Sequence, residues 1–355
     1  MSSRTGGGPE EVRTVRKGIA LAGNLILDHY KEIACYPAHS TLTTILGMRD
    51  SSGGAVCNSG MDLARLDPKL PLYAIGVVGD DDDGRHIVDA MSAYPNMDTS
   101  RIRRHGRTSY TDVFEDRSHQ TRTFFQFRGA NAELGPSDFD FDELPAAILH
   151  IGYLLLLDTL DQADPDYETV MARVLAAAQK AGIKTSIDIV TEESDRFGRL
   201  VPPALRYTDY CIINEEEASR TTGIAVRDAS GAFNVRTAYR ICEALFACGV
   251  RDTVILHARE GAVGIDCRGG RCHVTALDMK GEKLQSTTGA GDAFLAGSLY
   301  ALYQGESLRS AMELGIGTSA LSLLANTASD AVLPAPEVRA FFRAHKQEHW
   351  PGFGA

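Results

Sequence analysis

An α/β fold with a central, mostly parallel sheet, helices on both faces and a small projecting β-strand lid is what this 355-residue sequence predicts. Short, nearly continuous apolar runs alternate with helix-length stretches, the pattern of a parallel sheet covered on both sides. Two regions break that rhythm with period-two alternation, which fits half-exposed strands and predicts the lid.

In chain order, the strand-like runs are Ile19 to Leu27, Leu72 to Val78, Ile148 to Leu157, Ile183 to Ile189, Tyr210 to Ile213 and Thr253 to Leu256. Helical patterns between them include Tyr167 to Lys180 and Thr237 to Cys248. The lid is read over about 30–50 and 107–128, where Thr121-Arg122-Thr123-Phe124-Phe125-Gln126-Phe127 alternates most clearly. An ordinary surface excursion is the other reading of these two stretches. Residues 1–16 read as a flexible tail, 17–345 as one domain carrying the lid, and 346–355 as a C-terminal tail.

Composition bounds the function. The chain carries 36 Lys and Arg against 47 Asp and Glu, a formal charge of −11. Nucleic acid is therefore a poor partner, because a phosphate backbone needs a basic face. No apolar run approaches the roughly 20 residues that span a bilayer, and the polar N-terminus lacks the apolar stretch of a signal peptide. Seven scattered cysteines form no CxxC pair, which argues against a zinc site or a dithiol motif. Reduced thiols in a cytoplasmic protein are the expectation.

The segment Thr287-Thr288-Gly289-Ala290-Gly291-Asp292 precedes an apolar stretch, Ala293 to Tyr300, that reads as a buried helix. Glycines just before a helix let the backbone approach a ligand, and the free N–H groups with the helix dipole attract an anion. A carboxylate beside an anion site is a poor binder. It suits a base that takes the proton from an attacking hydroxyl. Asp292 capping a core helix behind a glycine turn is the alternative reading.

Other segments bear on that choice. Gly23-Asn24-Leu25-Ile26-Leu27-Asp28, Gly53-Gly54-Ala55-Val56-Cys57-Asn58, Val78-Gly79-Asp80-Asp81-Asp82-Asp83-Gly84, Gly129-Ala130-Asn131, Asn214-Glu215-Glu216-Glu217 and Gly289-Ala290-Gly291-Asp292 follow one another over some 300 residues. In that order they resemble the landmarks of the ribokinase/PfkB carbohydrate kinase family, over roughly residues 19–330. The resemblance implies a ribokinase-like fold and a kinase using ATP and Mg²⁺. It implies an acceptor held by Asp28, Gly53, Gly54, Asn58, Asn131 and Arg128. Asp292 becomes the base, and Gly289, Ala290 and Gly291 with it form the anion hole. Nucleotide contacts fall to Asn214, His257, Arg259, Gly261 and Asn326, and Glu217 helps hold the metal through water. Asn214 and Glu217 also read as a helix capping box, which is compatible with that role. The Asp80–Asp83 run lacks the alternating ligands of an EF-hand loop and reads as a solvated turn.

Three places depart from the family pattern. Ser286 stands where an Asp usually opens the signature, so the resemblance gives no ground for a potassium site. Leu256-His257-Ala258 replaces Thr-Leu-Gly on the nucleotide side. Asp188-Ile189-Val190-Thr191-Glu192 replaces D-P-N-x-R, losing its Asn and Arg.

The acceptor is expected to be a sugar or sugar-like small molecule. Residues 101–128 hold seven arginines against three acidic residues, and alternation puts Arg122, Gln126 and Arg128 on one face with Phe124. If that face looks inward, an anionic substrate is favoured; otherwise it is a solvated lid face around a neutral sugar. A nucleoside kinase, its base held by lid phenylalanines, and a non-catalytic sugar- or nucleotide-binding regulator are the alternatives. Exposed strand edges in the lid would also let a homodimer pair there.

Overall fold

The structure, a computed structural model, describes residues 16–119, 121–325, 327 and 329–347. Asn326 and nearly all of both expected tails lie outside the described residues. At the tail boundaries the chain is already tied down: Arg16 donates to the carbonyls of Phe141 and Leu144, and the Gln347 amide donates to Ala276 O at 2.9 Å.

The chain opens with β1 (Ile19–Gly23), β2 (Ile26–Ile33), β3 (Ile45–Gly53) and α1 (Ala55–Leu66). Then come β4 (Leu72–Val78), α2 (Asp82–Ser92), β5 (Met97–Arg104), β6 (Ser109–Asp116) and β7 (Thr121–Phe127). The middle holds β8 (Ile148–Leu154), the two-residue strands β9 (Ala163–Asp164) and β10 (Glu168–Thr169), α3 (Val170–Lys180), β11 (Lys184–Ile189), α4 (Phe197–Leu205), β12 (Tyr210–Asn214) and α5 (Glu215–Thr222). Last are α6 (Val235–Ala247), β13 (Thr253–Ala258), β14 (Gly261–Asp266), β15 (Arg271–Thr275), α7 (Ala290–Tyr303), α8 (Leu308–Ser322) and α9 (Ala335–His345).

Nine strands form the main sheet in the order β15-β14-β13-β12-β11-β8-β1-β4-β5. From β5 to β13 all neighbours run parallel; β14 and β15 are antiparallel additions at one edge. Every residue of β1 is buried, as expected of a strand with helices on both faces. Two apolar cores result, one beneath α3 to α6 and the other beneath α1, α2 and α7 to α9.

The lid is a separate four-stranded sheet, β3-β2-β6-β7. It begins earlier than the alternation suggests. The run read as one strand, Ile19 to Leu27, is cut at Asn24-Leu25, where the chain leaves the main sheet and enters the lid. Leu25 stays fully buried at this crossing, so the apolar run resumes at once and Gly23-Asn24 is the mark of the break in the sequence. The Asn131 amide bridges it: Leu25 N donates to Asn131 Oδ1, and Asn131 Nδ2 donates to Leu25 O, both at 3.1 Å.

Candidate active site

The carboxyl ends of β1, β8, β11, β12 and β13 open on one edge of the main sheet, the usual place for ligands in parallel α/β folds. The lid grows from the end of β1, and α1 and α7 present their N-termini to the same region.

Asp28 lies two residues into β2 and pairs in register with Thr111, which in turn pairs with Gln126. Residues in register share a face. Arg122 and Phe124 lie on this face too, and it looks into the site. The Arg122 guanidinium donates to Thr288 Oγ1 at 2.8 Å and Ser286 Oγ at 3.3 Å, and meets Glu115 at 3.1 Å. Arg128 does not continue the alternation. It sits past the strand end in helical geometry, and its guanidinium stands 3.5 Å from Leu155 O and 3.6 Å from Asp158.

The two glycines before α1 are there for close approach. A Cβ on Gly53 would stand 2.5 Å from Asp28 Oδ2, and one on Gly54, at φ 86°, would stand 2.4 Å from Asn24 O. The start of α1 therefore presses against the acceptor side. Asn58, read as a hydroxyl ligand, uses its Nδ2 on Asp292 Oδ2 at 2.8 Å. Asn131, assigned the same role, is buried and has its amide on Leu25. Each amide is thus engaged by a protein group, Asn58 by Asp292 and Asn131 by the Leu25 backbone.

Asp292 falls in the first turn of α7. Gly289, left-handed at φ 79°, is the N-cap, and no side chain caps the helix. The capping alternative for Asp292 is thus not what the structure contains. First-turn N–H groups lack intrahelical partners and carry the positive end of the dipole. The carboxyl of Asp292 is buried, and burial pushes its pKa up to about 6 against the hydrogen bonds from Asn58 and from the Tyr153 hydroxyl at 2.8 Å.

A cavity of about 280 Å³ joins Asp292, Gly289, Ala290 and Gly291 to Asn214, Glu217, Thr191 and Asp188. Glu217 and Asn214 do form the capping box, with Asn214 N donating to Glu217 Oε2 at 3.1 Å. Thr191 donates to the other Glu217 oxygen at 3.0 Å. Burial still raises Glu217 to about 8 and holds Asp188 well above the carboxylate range. A second cavity, of about 960 Å³, shares Asn214, His257, Thr287, Ala290 and Gly291 with the first. Arg259 and Gly261 line it beside an apolar slot of Leu277, Met279, Leu284 and Ile316. His257 stacks on Phe294 at 4.6 Å, and burial lowers it to about 4, so the ring is neutral at physiological pH.

Sequence reading missed Tyr153, Asp188 and Thr191 as site residues. Asp188 lies at the carboxyl end of the apolar strand β11, and the carboxyl-end rule would have found it. Thr191 lay in a segment read as degraded. Tyr153 left no trace, since it sits inside an apolar run and reaches the site only through a left-handed backbone, φ 51°.

The model of the pfkB family carbohydrate kinases matches residues 25–336. The chain belongs to that family. The kinase is 22% identical over 318 residues to the 5-dehydro-2-deoxygluconokinase of Clostridium perfringens, covering 88% of this chain and 89% of the relative. A solved Arabidopsis thaliana ribokinase complexed with ribose and ATP superposes with a TM-score of 0.76 at 20% identity, over 92% of this chain and 99% of that one. A Methanocaldococcus jannaschii nucleoside kinase gives 0.69 at 19%, over 93% and 99%. The kinase therefore has the ribokinase-like fold and is a phosphotransferase with an alcohol group as acceptor. No helix among the described residues is long and apolar enough to cross a membrane.

Proposed function

We propose that this chain transfers the γ-phosphoryl group of ATP to a primary hydroxyl of a sugar or sugar acid, with Asp292 as the base. One observation carries the reading: a buried carboxyl stands in the first turn of a helix with no side-chain cap, and it lines the smaller cavity beside Gly289, Ala290 and Gly291. Asp28 and the backbone at Gly53-Gly54 hold acceptor hydroxyls. Above about pH 6 Asp292 is ionised and takes the proton of the attacking hydroxyl. The N–H groups of Ala290, Gly291 and Asp292 stabilise charge on the transferring group. The larger cavity suits adenine in its apolar slot, with His257, Arg259 and Gly261 beside it.

When bound, Mg²⁺ would offset the negative charge of the phosphates, with Glu217 helping to hold it through water. The residues fit an ion held largely through water: the carboxyls of Glu217 and Asp188 both line the smaller cavity. Glu217 faces that cavity, and Asn214 and Thr191 fix its orientation.

Among acceptors, the register favours a sugar over a nucleoside. A base sandwich needs facing aromatic rings, yet Phe124 shares the Asp28 face while Phe125 and Phe127 lie on the opposite one. A sugar acid is consistent with the relatives' substrate name and with Arg122 on the lid face that looks into the site, although Arg101, Arg103 and Arg104 belong to β5 of the main sheet and not to the lid. Met48 and Phe125 are exposed on the outer lid face, where a second copy would pair if the homodimer forms.

An ATP-consumption assay over sugars, sugar acids, polyols and nucleosides tests the reading. Asp292→Asn is expected to lower kcat by about 10²–10⁴-fold with acceptor binding nearly unchanged. Equal turnover in the two proteins would remove Asp292 from the chemistry.

A further inference from the structure

The end of β8 is built in an unusual way. Gly152 has no room for a side chain, since a Cβ there would stand 2.3 Å from that of Ala55 at the start of α1. The next residue, Tyr153, is left-handed at φ 51°, and Leu155 follows at φ 84°. Non-glycine residues seldom take this conformation, and those that do so at a strand end beside a site are a reason to look for function there. Asp188 Oδ1 holds the turn by accepting from Tyr153 N at 3.0 Å. The turn swings the phenol onto a residue 139 positions away, and its hydroxyl meets Asp292 Oδ2 at 2.8 Å. Asn58 Nδ2, from α1, meets the same oxygen at 2.8 Å.

We propose that Tyr153 is a positioning residue for Asp292: with Asn58 it occupies Oδ2, fixing the carboxylate so that Oδ1 is the oxygen left to take the proton of the acceptor hydroxyl. This rests on Asp292 being the base. The phenol is the donor in the pair, because burial and the neighbouring carboxylates push its pKa well above the ordinary tyrosine value. Two donors on one oxygen do two things. They remove the freedom of the carboxyl to rotate, and they favour its charged form against burial.

The surroundings make those donors matter. Asp28 faces the site from β2, Asp62 and Cys57 from α1, Asp188 from the end of β11 and Glu217 from α5; each is a carboxyl or a thiol made harder to ionise by burial together with the charge of Asp292. His150 from β8, behind Asp188, is lowered to about 3 and stays neutral, as does His257 beside Gly291. The hydrogen bonds from Tyr153 and Asn58 are thus what counters burial at Asp292.

The test is Tyr153→Phe, which keeps the ring and removes only the hydroxyl. In the nucleotide-free protein, the Asp292 carboxyl is followed by ¹³C NMR and identified by its loss in Asp292→Asn, which separates it from Asp28 titrating near the same pH. Its midpoint is expected to rise by about one pH unit in Tyr153→Phe. The acid limb of kcat/KM should move with it. The loss in kcat should be about threefold near pH 6.5, approach tenfold below about pH 5 and vanish toward pH 9, with the acceptor KM within about twofold of wild type. An unmoved Asp292 titration, or a kcat loss equal at every pH, would overturn the assignment. Absence of any kinase activity in the wild type would instead sink the base reading, since the NMR comparison needs no turnover.

Discussion

Carboxyl groups crowd the site, and burial makes each of them expensive to ionise. Burial, with the charge of Asp292 added to it, raises Asp28 to about 6 and Glu217 to about 8. Asp292 itself stands at about 6. A carboxyl raised in the folded state contributes stability that is present below its unfolded pKa, near 4, and lost as pH rises through the folded value. For Asp292 the window is therefore about pH 4 to 6. Asp292→Asn should melt a few degrees above wild type at pH 8, roughly 3 kcal/mol in free energy, and at the same temperature at pH 4. Calorimetry at the two pH values checks this, and a constant difference would contradict it. At this scale much of the site was legible. Asn214 and Asp292 lie where an apolar strand ends or a helix begins, and Asp28 where an apolar run turns polar inside β2; sequence patterns mark such junctions. Asn58 and Asn131 were found as residues, but their bonds to Asp292 and Leu25 were not, because sequence does not say which partner an amide has chosen.

Elements were legible where hydrophobic period and geometry agree. Leu72–Val78 has the same bounds in sequence and structure, since it is a buried strand between polar stretches. The helix read from Tyr167 begins at Val170, because Glu168-Thr169 pairs with Ala163-Asp164 and Thr169 then caps the helix through Ala172 N. Ile148 to Leu157 stays apolar past the strand end, hiding the turn at Tyr153. The junction of β3 and α1 carries its own prediction. Gly54→Ala would add a Cβ to a left-handed residue 2.4 Å from Asn24 O, so the start of α1 must withdraw and take Asn58 with it. A loss of about 1–3 kcal/mol in urea unfolding is expected, with kcat reduced more than acceptor affinity. Wild-type stability in this variant would mean that the contact is slack.

At the scale of the molecule, two sheets meet at a narrow joint, and the smaller one reaches back to touch the transfer loop. Arg122 is that touch, bridging β6 and β7 to Ser286 and Thr288. When acceptor and nucleotide bind together, amides of 121–127 should exchange more slowly with solvent than with either ligand alone, as closure excludes water. Hydrogen exchange of that segment measures it; equal rates in all states would describe a rigid cover. The overall architecture was legible because the motifs keep one order along 300 residues. The joint was not, for the reason that it is made by a side chain. An asparagine amide is a peptide group on a short stalk, and Asn131 lends Leu25 the donor and acceptor that a neighbouring strand would otherwise provide. It serves as a single counterfeit rung, letting the backbone change sheets in the middle of the core without stranding a polar group there.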